Sequence, residues 1–176
     1  MFSVIFEVHP KQERFDLYLD LAKDLRPTLQ GIDGFIDNER FESTRRPGWT
    51  LSHSTWRDEK SVVRWRTVAK HHETQQRGRD QVFQDYHLRV GEIVSDTAPP
   101  EGVPLVEQRL DETEVGAAKF ATLTDVSPAP NAGGSLAPSE LADRLSLDRK
   151  HPALIDHDVF REHLQRGKTR VVGVVA

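Results

Sequence analysis

The sequence contains no cysteine, which removes disulfide bonds and thiolate metal sites from consideration. It has no apolar run that approaches the roughly 20 residues needed to span a bilayer. The apolar start MFSVIFEVHP lacks the basic leader and the cleavage signature of a secretion signal. Long runs of one charge sign are also missing, and 24 basic against 28 acidic residues give a formal net charge of −4. We therefore expect a soluble cytoplasmic protein with neither nucleic acid nor a membrane as partner.

The 176 residues suffice for one domain, or for one domain with an appendage. Short runs rich in β-branched and aromatic residues predict strands, and apolar residues at helical spacing predict two helices between them. The predicted order is a strand at 2–8, a helix from about 11, strands at 35–44 and 49–56, a helix from Asp58 to about Arg77 and a strand from Tyr86 to Val94. This β-α-β-β-α-β order is that of the ferredoxin-like fold, an α+β class in which both helices cover one face of an antiparallel sheet.

Three local signals set the expected helix ends. Pro27 should kink or stop the first helix near Asp24 or Leu25, because proline lacks a backbone N–H and disfavours a helical residue before it. Asp58 should cap the start of the second helix with its carboxylate. Gly78 then lies near the C-terminal end of that helix.

The second half of the chain is less regular. The proline-rich segment TAPPEGVP at 97–104 marks a boundary, so we expect a ferredoxin-like domain at 1–96 and a C-terminal extension at 97–176. The extension is predicted to hold a strand at 117–126, a loop at 127–135, a short helix capped by Ser139 and two final strands. This order of strand, helix and hairpin is a partial, degenerate repeat of the first domain.

A stripe along the second predicted helix carries the candidate chemistry. At about 100° per residue, His72 lies within roughly 20° of Trp65, whereas His71 points nearly the opposite way, toward solvent. An indole and an imidazole on one stripe could line a pocket between helix and sheet, where the imidazole would transfer a proton near neutral pH. The alternative is that both rings only pack in the core, which is the commoner role of such residues.

From Phe2 to about Ser95 the chain resembles the antibiotic biosynthesis monooxygenase superfamily of dimeric α+β barrels. The resemblance rests on the stretches LQGIDGFIDNERFES and LSHSTWRDEKSVVRWRTVAKHHETQQRGRDQVFQDYHLRV. They contain a strand that ends in tryptophan, an acidic helix start, a tryptophan inside the helix, a histidine about two turns later and an aromatic-rich last strand. The residues that match this pattern are Trp56, Asp58, Trp65, His72, Phe83 and Tyr86.

The resemblance implies a homodimeric barrel of two facing sheets, which come from two chains or partly from the chain's own second half. It implies a cofactor-independent monooxygenase-like activity on a small aromatic or polyketide-type molecule, whose deprotonated form reacts with O₂. Trp65 and His72 are then the candidate catalytic residues, and Asn38, His53 and Tyr86 are candidates for binding the substrate. For Asn38 and His53 a purely structural hydrogen bond is the alternative. We expect neither a cofactor nor a metal.

Two other functions stay open: a non-catalytic barrel that binds a small apolar ligand, and a haem-binding or haem-degrading protein. In the haem-degrading branch of the resembled superfamily, the iron-binding histidine lies ten positions after the helix tryptophan. That position is Gln75 here, which disfavours haem degradation. The DHD motif at Asp156–Asp158 is not predicted to bind a metal, because strand alternation separates its histidine from its aspartates. Arg45 and Arg46 lie in a predicted turn and are expected to be solvated.

Overall fold

The computed structural model describes residues 1–105, 119–127, 137–162 and 169–175. They form an α+β fold, as predicted, and the chain divides into two compact units. The first unit is Met1–Glu39 with Ser52–Glu112, and the second is Arg40–Leu51 with Thr113–Ala176. Residues 40–51 therefore belong to the same unit as the C-terminal half. A single boundary after residue 96 would instead assign them to the N-terminal domain. No helix in the described part of the chain has the length and apolar character that a membrane crossing requires.

The first unit has the predicted ferredoxin-like strand order, β4-β1-β3-β2. Strand β1 pairs with β4 in antiparallel fashion, from Phe2 opposite Glu92 to Pro10 opposite Phe83. The second predicted helix is present in two pieces. The elements are β1 (Phe2–Pro10), α1 (Phe15–Gln30), β2 (Phe35–Ser43), β3 (Thr50–Trp56), α2 (Glu59–Thr67), α3 (Ala69–Arg77) and β4 (Phe83–Glu92).

Alternation along β1 separates the two faces of this sheet. Phe2 packs in a cluster with Leu29 of α1 and Val62 of α2, which marks the even-numbered positions as the helix-facing side. Val8, further along the same face, packs with Tyr18 of α1. The odd-numbered positions of β1 therefore lie on the opposite face of the sheet.

Helix α1 continues past Pro27, so of the two predicted outcomes, a kink or a stop near Asp24 or Leu25, the stop is wrong. A proline inside a helix removes one backbone hydrogen bond and crowds the preceding turn. Leu29, two residues later, is buried at 9% exposure in the cluster with Phe2, and this burial favours keeping the last turn helical. The helix ends where Gly31 donates its backbone N–H to the carbonyls of Pro27 and Thr28, each at 3.2 Å.

The N-terminal cap of α2 is Asp58, as predicted. Its Oδ1 accepts from the backbone N–H of Ser61 at 2.8 Å and from the Ser61 hydroxyl at 2.7 Å. Burial opposes ionisation of Asp58, but these hydrogen bonds and Arg57 outweigh it and lower the pKa of Asp58 to about 2. Ser61 is fully buried against Gly34, where a Cβ would lie 1.9 Å from the Ser61 hydroxyl and where φ is +87°. A glycine is therefore required at this turn.

The predicted single helix from Asp58 to Arg77 is interrupted at Val68, which has extended dihedral angles of φ −65° and ψ 124°. Thr67, just before the break, donates its hydroxyl to the carbonyls of Val63 at 3.1 Å and Arg64 at 3.0 Å. Such back-bonding bends helices, and two consecutive β-branched residues lower the helix propensity further. The prediction of one continuous helix is wrong for this local reason.

The second unit has the strand order β2-β6-β7-β5, so β5, β7 and β6 follow one another as β1, β3 and β2 do in the first unit. Strand β2 pairs with β6 in antiparallel fashion, with Ser43 opposite Phe160. The short helix begins at Pro138 after the cap residue Ala137, so the predicted cap at Ser139 is wrong. Of the loop predicted at 127–135, only residue 127 is among the described residues. The elements are β5 (Phe120–Val126), α4 (Pro138–Arg144), β6 (Leu154–Glu162) and β7 (Thr169–Val175).

A buried carboxylate lies inside the second unit. Asp158 on β6 is 2% exposed, and it accepts from the Ser43 hydroxyl at 2.8 Å and from Arg46 Nε at 2.6 Å. The Arg46 guanidinium also lies 4.4 Å from the centre of the Trp49 ring. The expectation that Arg46 is solvated is therefore wrong, because its charge pairs with a carboxylate that the strand buries.

Replacing Asp158 with alanine should lower the free energy of unfolding by about 3 kcal/mol, because it leaves Arg46 and Ser43 without their shared acceptor. The matched control is Asp143→Ala, which removes an ion pair to Arg149 whose side chains are 63% and 49% exposed. That variant should lose less than about 1 kcal/mol. Urea unfolding measures both losses, and equal losses would contradict the assigned role of the buried pair.

Candidate functional site

Three aromatic side chains of the first unit contact one another from the core outward. Trp56 is fully buried, and its Nε1 donates to the Ser54 hydroxyl at 2.9 Å. The Trp65 ring lies 6.5 Å from the Trp56 ring between centres, at an interplanar angle of 29°. The imidazole of His71 lies on the Trp65 ring at 3.9 Å and 15°. We call Trp56, Trp65 and His71 the ring stack.

The break at Val68 orients His71 onto Trp65. In a continuous helix the Trp65 carbonyl would accept from the backbone N–H of the residue four positions later. Here it accepts from the Val68 N–H at 3.2 Å and lies 2.9 Å from His71 Nδ1. Helix α3 then starts again with the bond from the His72 N–H to the Val68 carbonyl, at 2.9 Å. The break has changed which side of α3 meets Trp65.

His72, the predicted partner of Trp65, has an exposed side chain, whereas His71 is half-buried. The predicted orientation of the two histidines is therefore reversed. The predicted orientation requires one uninterrupted helix at about 100° per residue, and the extended residue at 68 shifts the helical phase of the residues that follow. The signal that could have revealed this is the pair Thr67-Val68 in the middle of the helix.

The environment of His71 favours its neutral form. Burial lowers the pKa of His71 below its ordinary value, and the neighbouring charge of His72 lowers it further. The contact with the Trp65 carbonyl acts in the opposite direction and is outweighed. The imidazole is therefore neutral at pH 7, in the form that can accept a proton.

Two predicted binding residues, Asn38 and His53, lie beside each other but make structural hydrogen bonds. Asn38 Nδ2 donates to the Ser52 hydroxyl at 3.1 Å and to the His53 carbonyl at 3.0 Å. His53 Nε2 lies 2.8 Å from the Ser3 hydroxyl. Ser3 occupies an odd-numbered position of β1, so His53 is on the sheet face opposite the helices and the ring stack.

The third predicted binding residue, Tyr86, lies on the helix-facing side of the sheet but in a different aromatic group. It is directly opposite Val8 across β1 and β4, and its ring centre lies 6.0 Å from Phe6 and 5.9 Å from Phe83. It is 39% exposed. The structure therefore does not bring Asn38, His53 and Tyr86 together around one site with Trp65.

The stack offers flat apolar rings and one proton acceptor, which suits a small cyclic ligand better than a metal ion. Among the residues that the structure describes, no group of three or more histidine, aspartate or glutamate side chains could hold a metal. Gln75, ten positions after Trp65, is half-buried on α3. A carboxamide is a poor substitute for an imidazole as an axial haem ligand.

Comparison with known proteins places these features in a family context. The antibiotic biosynthesis monooxygenase family matches residues 1–77. A protein of Pyricularia oryzae named jasmonate monooxygenase ABM is 47% identical over 172 residues, which cover 95% of this chain and 78% of the relative. A candidate antibiotic biosynthesis monooxygenase from Deinococcus radiodurans has a TM-score of 0.50 at 14% identity, over 58% of this chain and all of its own. The Rv0793 protein of Mycobacterium tuberculosis has a TM-score of 0.50 at 12% identity, over 55% of this chain and 98% of its own. The two solved structures support the fold alone.

The lowered pKa of His71 predicts a pH dependence of stability. The unfolded chain binds a proton at His71 below about pH 6.5, whereas the folded chain resists protonation there, so stability should be full above that pH and fall below it. Replacing His71 with glutamine should flatten this part of the curve. Urea unfolding between pH 5 and 8 measures the difference, with His72→Gln as control. An unchanged slope in His71→Gln would contradict the assigned burial.

Proposed function

The chain belongs to the antibiotic biosynthesis monooxygenase family, and on that premise we propose that it oxidises a small cyclic molecule with O₂ against the ring stack. The observation that supports this proposal is the stack itself. A buried indole continues into a half-buried indole and an imidazole, which together form a surface for a flat ligand beside a group that accepts protons.

The proposed reaction needs no cofactor when the substrate supplies the electrons. Conversion of an activated CH₂ group to C=O uses all four electrons that one O₂ takes up, since one oxygen atom ends in the carbonyl and the other in water. The substrate must first lose a proton, so it must carry an acidic O–H or C–H group, as phenols and polyketide rings do. Hydroxylation of an unactivated C–H group supplies only two electrons and requires an external two-electron donor.

Two substrate classes follow from these considerations. The sequence resemblance favours a small aromatic or polyketide-type molecule, whose ring suits the stack and whose acidity suits an imidazole base. The name of the Pyricularia oryzae relative makes jasmonate, a cyclopentanone with a carboxylate, the second class to test. We propose that the ring of the substrate packs along the edges of Trp65 and His71, because His71 covers the face of the Trp65 ring. The catalytic role of His72 and the substrate contacts of Asn38, His53 and Tyr86 stay untested predictions from the sequence, and single alanine variants in the same assay examine each of them.

A non-catalytic ligand-binding protein is the alternative function. The observation that favours it is that His71 already covers the Trp65 ring. The contacts within the ring stack are therefore explained by packing, without any role in a reaction. Stabilisation of the folded protein by a ligand, without oxygen uptake, would support this alternative. Haem binding is a further alternative, which the absence of a shift in the haem absorbance spectrum on mixing would exclude.

Oxygen uptake with a hydroxyanthrone and with jasmonic acid, each with and without NADPH, tests the proposed function. We expect oxygen uptake with the hydroxyanthrone in the absence of NADPH. A Trp65→Ala variant should raise the KM for this substrate about tenfold or more, equivalent to about 1.4 kcal/mol of lost binding. Trp49→Phe, a substitution in the second unit, is the control and should leave KM unchanged. Uptake that requires NADPH would contradict the cofactor-free step, and equal KM values in both variants would contradict the role of Trp65.

We also propose that the chain forms a homodimer, while its cytoplasmic location stays a prediction from composition. Strand β4 is an edge strand among the described strands, and its helix-facing side exposes Tyr86, Leu88 and Val90 at 39%, 50% and 51%. Antiparallel pairing of two β4 strands about Leu88 would place Leu88 opposite its copy and Tyr86 opposite Val90. Aromatic and β-branched residues are favourable cross-strand partners.

Replacing Leu88 with lysine should convert the dimer to a monomer, because two like charges would meet at the symmetry axis. Leu145→Lys is the control, since Leu145 is a 40% exposed leucine of the second unit. Size-exclusion chromatography with light scattering at micromolar concentration gives the mass of each variant. A monomeric unsubstituted protein would contradict the dimer, and a dimeric Leu88→Lys variant would contradict the β4 contact.

A further inference from the structure

We propose that His71 is the proton acceptor of the oxidation, and that the helix break at Val68 positions it by making the Trp65 carbonyl available to its ring nitrogen. This inference rests on the proposed function, because it assigns a role within the same site. It differs from the sequence-based choice of His72.

The contact with the Trp65 carbonyl determines which ring nitrogen can accept a proton. A carbonyl oxygen only accepts hydrogen bonds, so His71 Nδ1, at 2.9 Å from it, must carry the hydrogen in the neutral ring. The lone pair then resides on Nε2. Among the described residues, Nε2 has no hydrogen-bond partner that would compete for that lone pair.

The break is what makes this carbonyl available. The extended conformation of Val68 removes the usual helical donor, and the carbonyl retains only a 3.2 Å bond from the Val68 N–H. The same break brings His71 over the indole of Trp65 at 3.9 Å, which fixes the plane of the ring. Trp65 is therefore a positioning residue through both its carbonyl and its side chain.

The proposed step balances without an added reagent. Nε2 of His71 takes a proton from the activated CH₂ or the hydroxyl of the substrate, and the electron pair stays on the substrate as an enolate or phenolate. The substrate carbon forms a bond to O₂ and gives a peroxide anion. His71 returns its proton to that anion, and the hydroperoxide loses water to leave C=O. The substrate carbon is oxidised by four electrons, and O₂ is reduced by four.

His72 lacks the features that this step needs. Its side chain is exposed, whereas His71 is half-buried on an indole. His72 is nevertheless the charged neighbour on α3 that acts on His71, and it disfavours the protonated form of that ring. Removal of His72 should therefore raise the pKa of His71 slightly and leave the proton transfer intact.

Nitrogen-15 NMR of the histidine rings tests the positioning without any substrate. His71→Asn and His72→Asn variants assign the signals. We expect the neutral His71 ring to carry its hydrogen on Nδ1, with Nε2 unprotonated. A hydrogen on Nε2 would overturn the proposal whatever the activity.

The kinetic test compares His71→Asn with His72→Asn on the hydroxyanthrone. Asparagine keeps a donor near the position of Nδ1 for the Trp65 carbonyl but has no atom at the position of Nε2. We expect kcat/KM to fall about 100-fold or more in His71→Asn, while its unfolding midpoint in urea falls only by the small amount that loss of the ring contact with Trp65 explains. His72→Asn should change kcat/KM less than about threefold. Unchanged turnover in His71→Asn, or an equal loss in His72→Asn, would overturn the inference, whereas no oxygen uptake by the unsubstituted protein would overturn the proposed function instead.

Discussion

The hydrogen bond between the Trp65 carbonyl and His71 Nδ1 is the contact on which the candidate site depends. It exists because the helix stops for one residue at Val68, which costs the protein a regular helical hydrogen bond of about 1 kcal/mol. The side-chain hydrogen bond replaces that interaction, and the ring contact of His71 with Trp65 adds about 0.5–1.5 kcal/mol. These two contacts therefore offset the cost of the break. The break determines that His71, and not His72, faces the indole of Trp65.

Periodicity and capping rules predict most of the fold of the first unit, but they do not predict the helix break at Val68. The order of strands and helices and the cap at Asp58 follow from residue types at short range, where sequence determines structure directly. Short-range rules fail at two residues, Pro27 and Val68. At Pro27 the burial of Leu29 outweighs an intrinsic helix breaker, and at Val68 a hydroxyl back-bond acts on a segment whose average pattern is helical. Whether His72 or His71 faces Trp65 depends on helix phase, which a single extended residue changes.

Long-range pairing accounts for the other residues that sequence reasoning misplaced. Asp158 and Arg46 are 112 residues apart, and nothing in either neighbourhood indicates the other. From the sequence alone, the Asp158 carboxylate of the DHD motif could be a metal ligand or a surface charge. Its role as the partner of Arg46 is evident only when β6 lies beside the hairpin that carries Arg46. Buried charges require a partner with good geometry, so this pair fixes the register of β6 against β2 in the second unit. The position of residues 40–51 with the C-terminal half follows from such contacts.

The orientation of the stack limits how a substrate can meet His71. A ligand that displaces the imidazole from Trp65 gives up the ring contact and the hydrogen bond to the carbonyl, about 2 kcal/mol together, or roughly 30-fold in affinity. A ligand that lies face to face on the outer side of His71 gives up neither, but the lone pair of Nε2 lies in the ring plane and would miss it. The acidic hydrogen of the substrate must therefore approach Nε2 from the edge of the imidazole. Because that ring lies within 15° of the indole plane, the approach runs almost parallel to the face of Trp65.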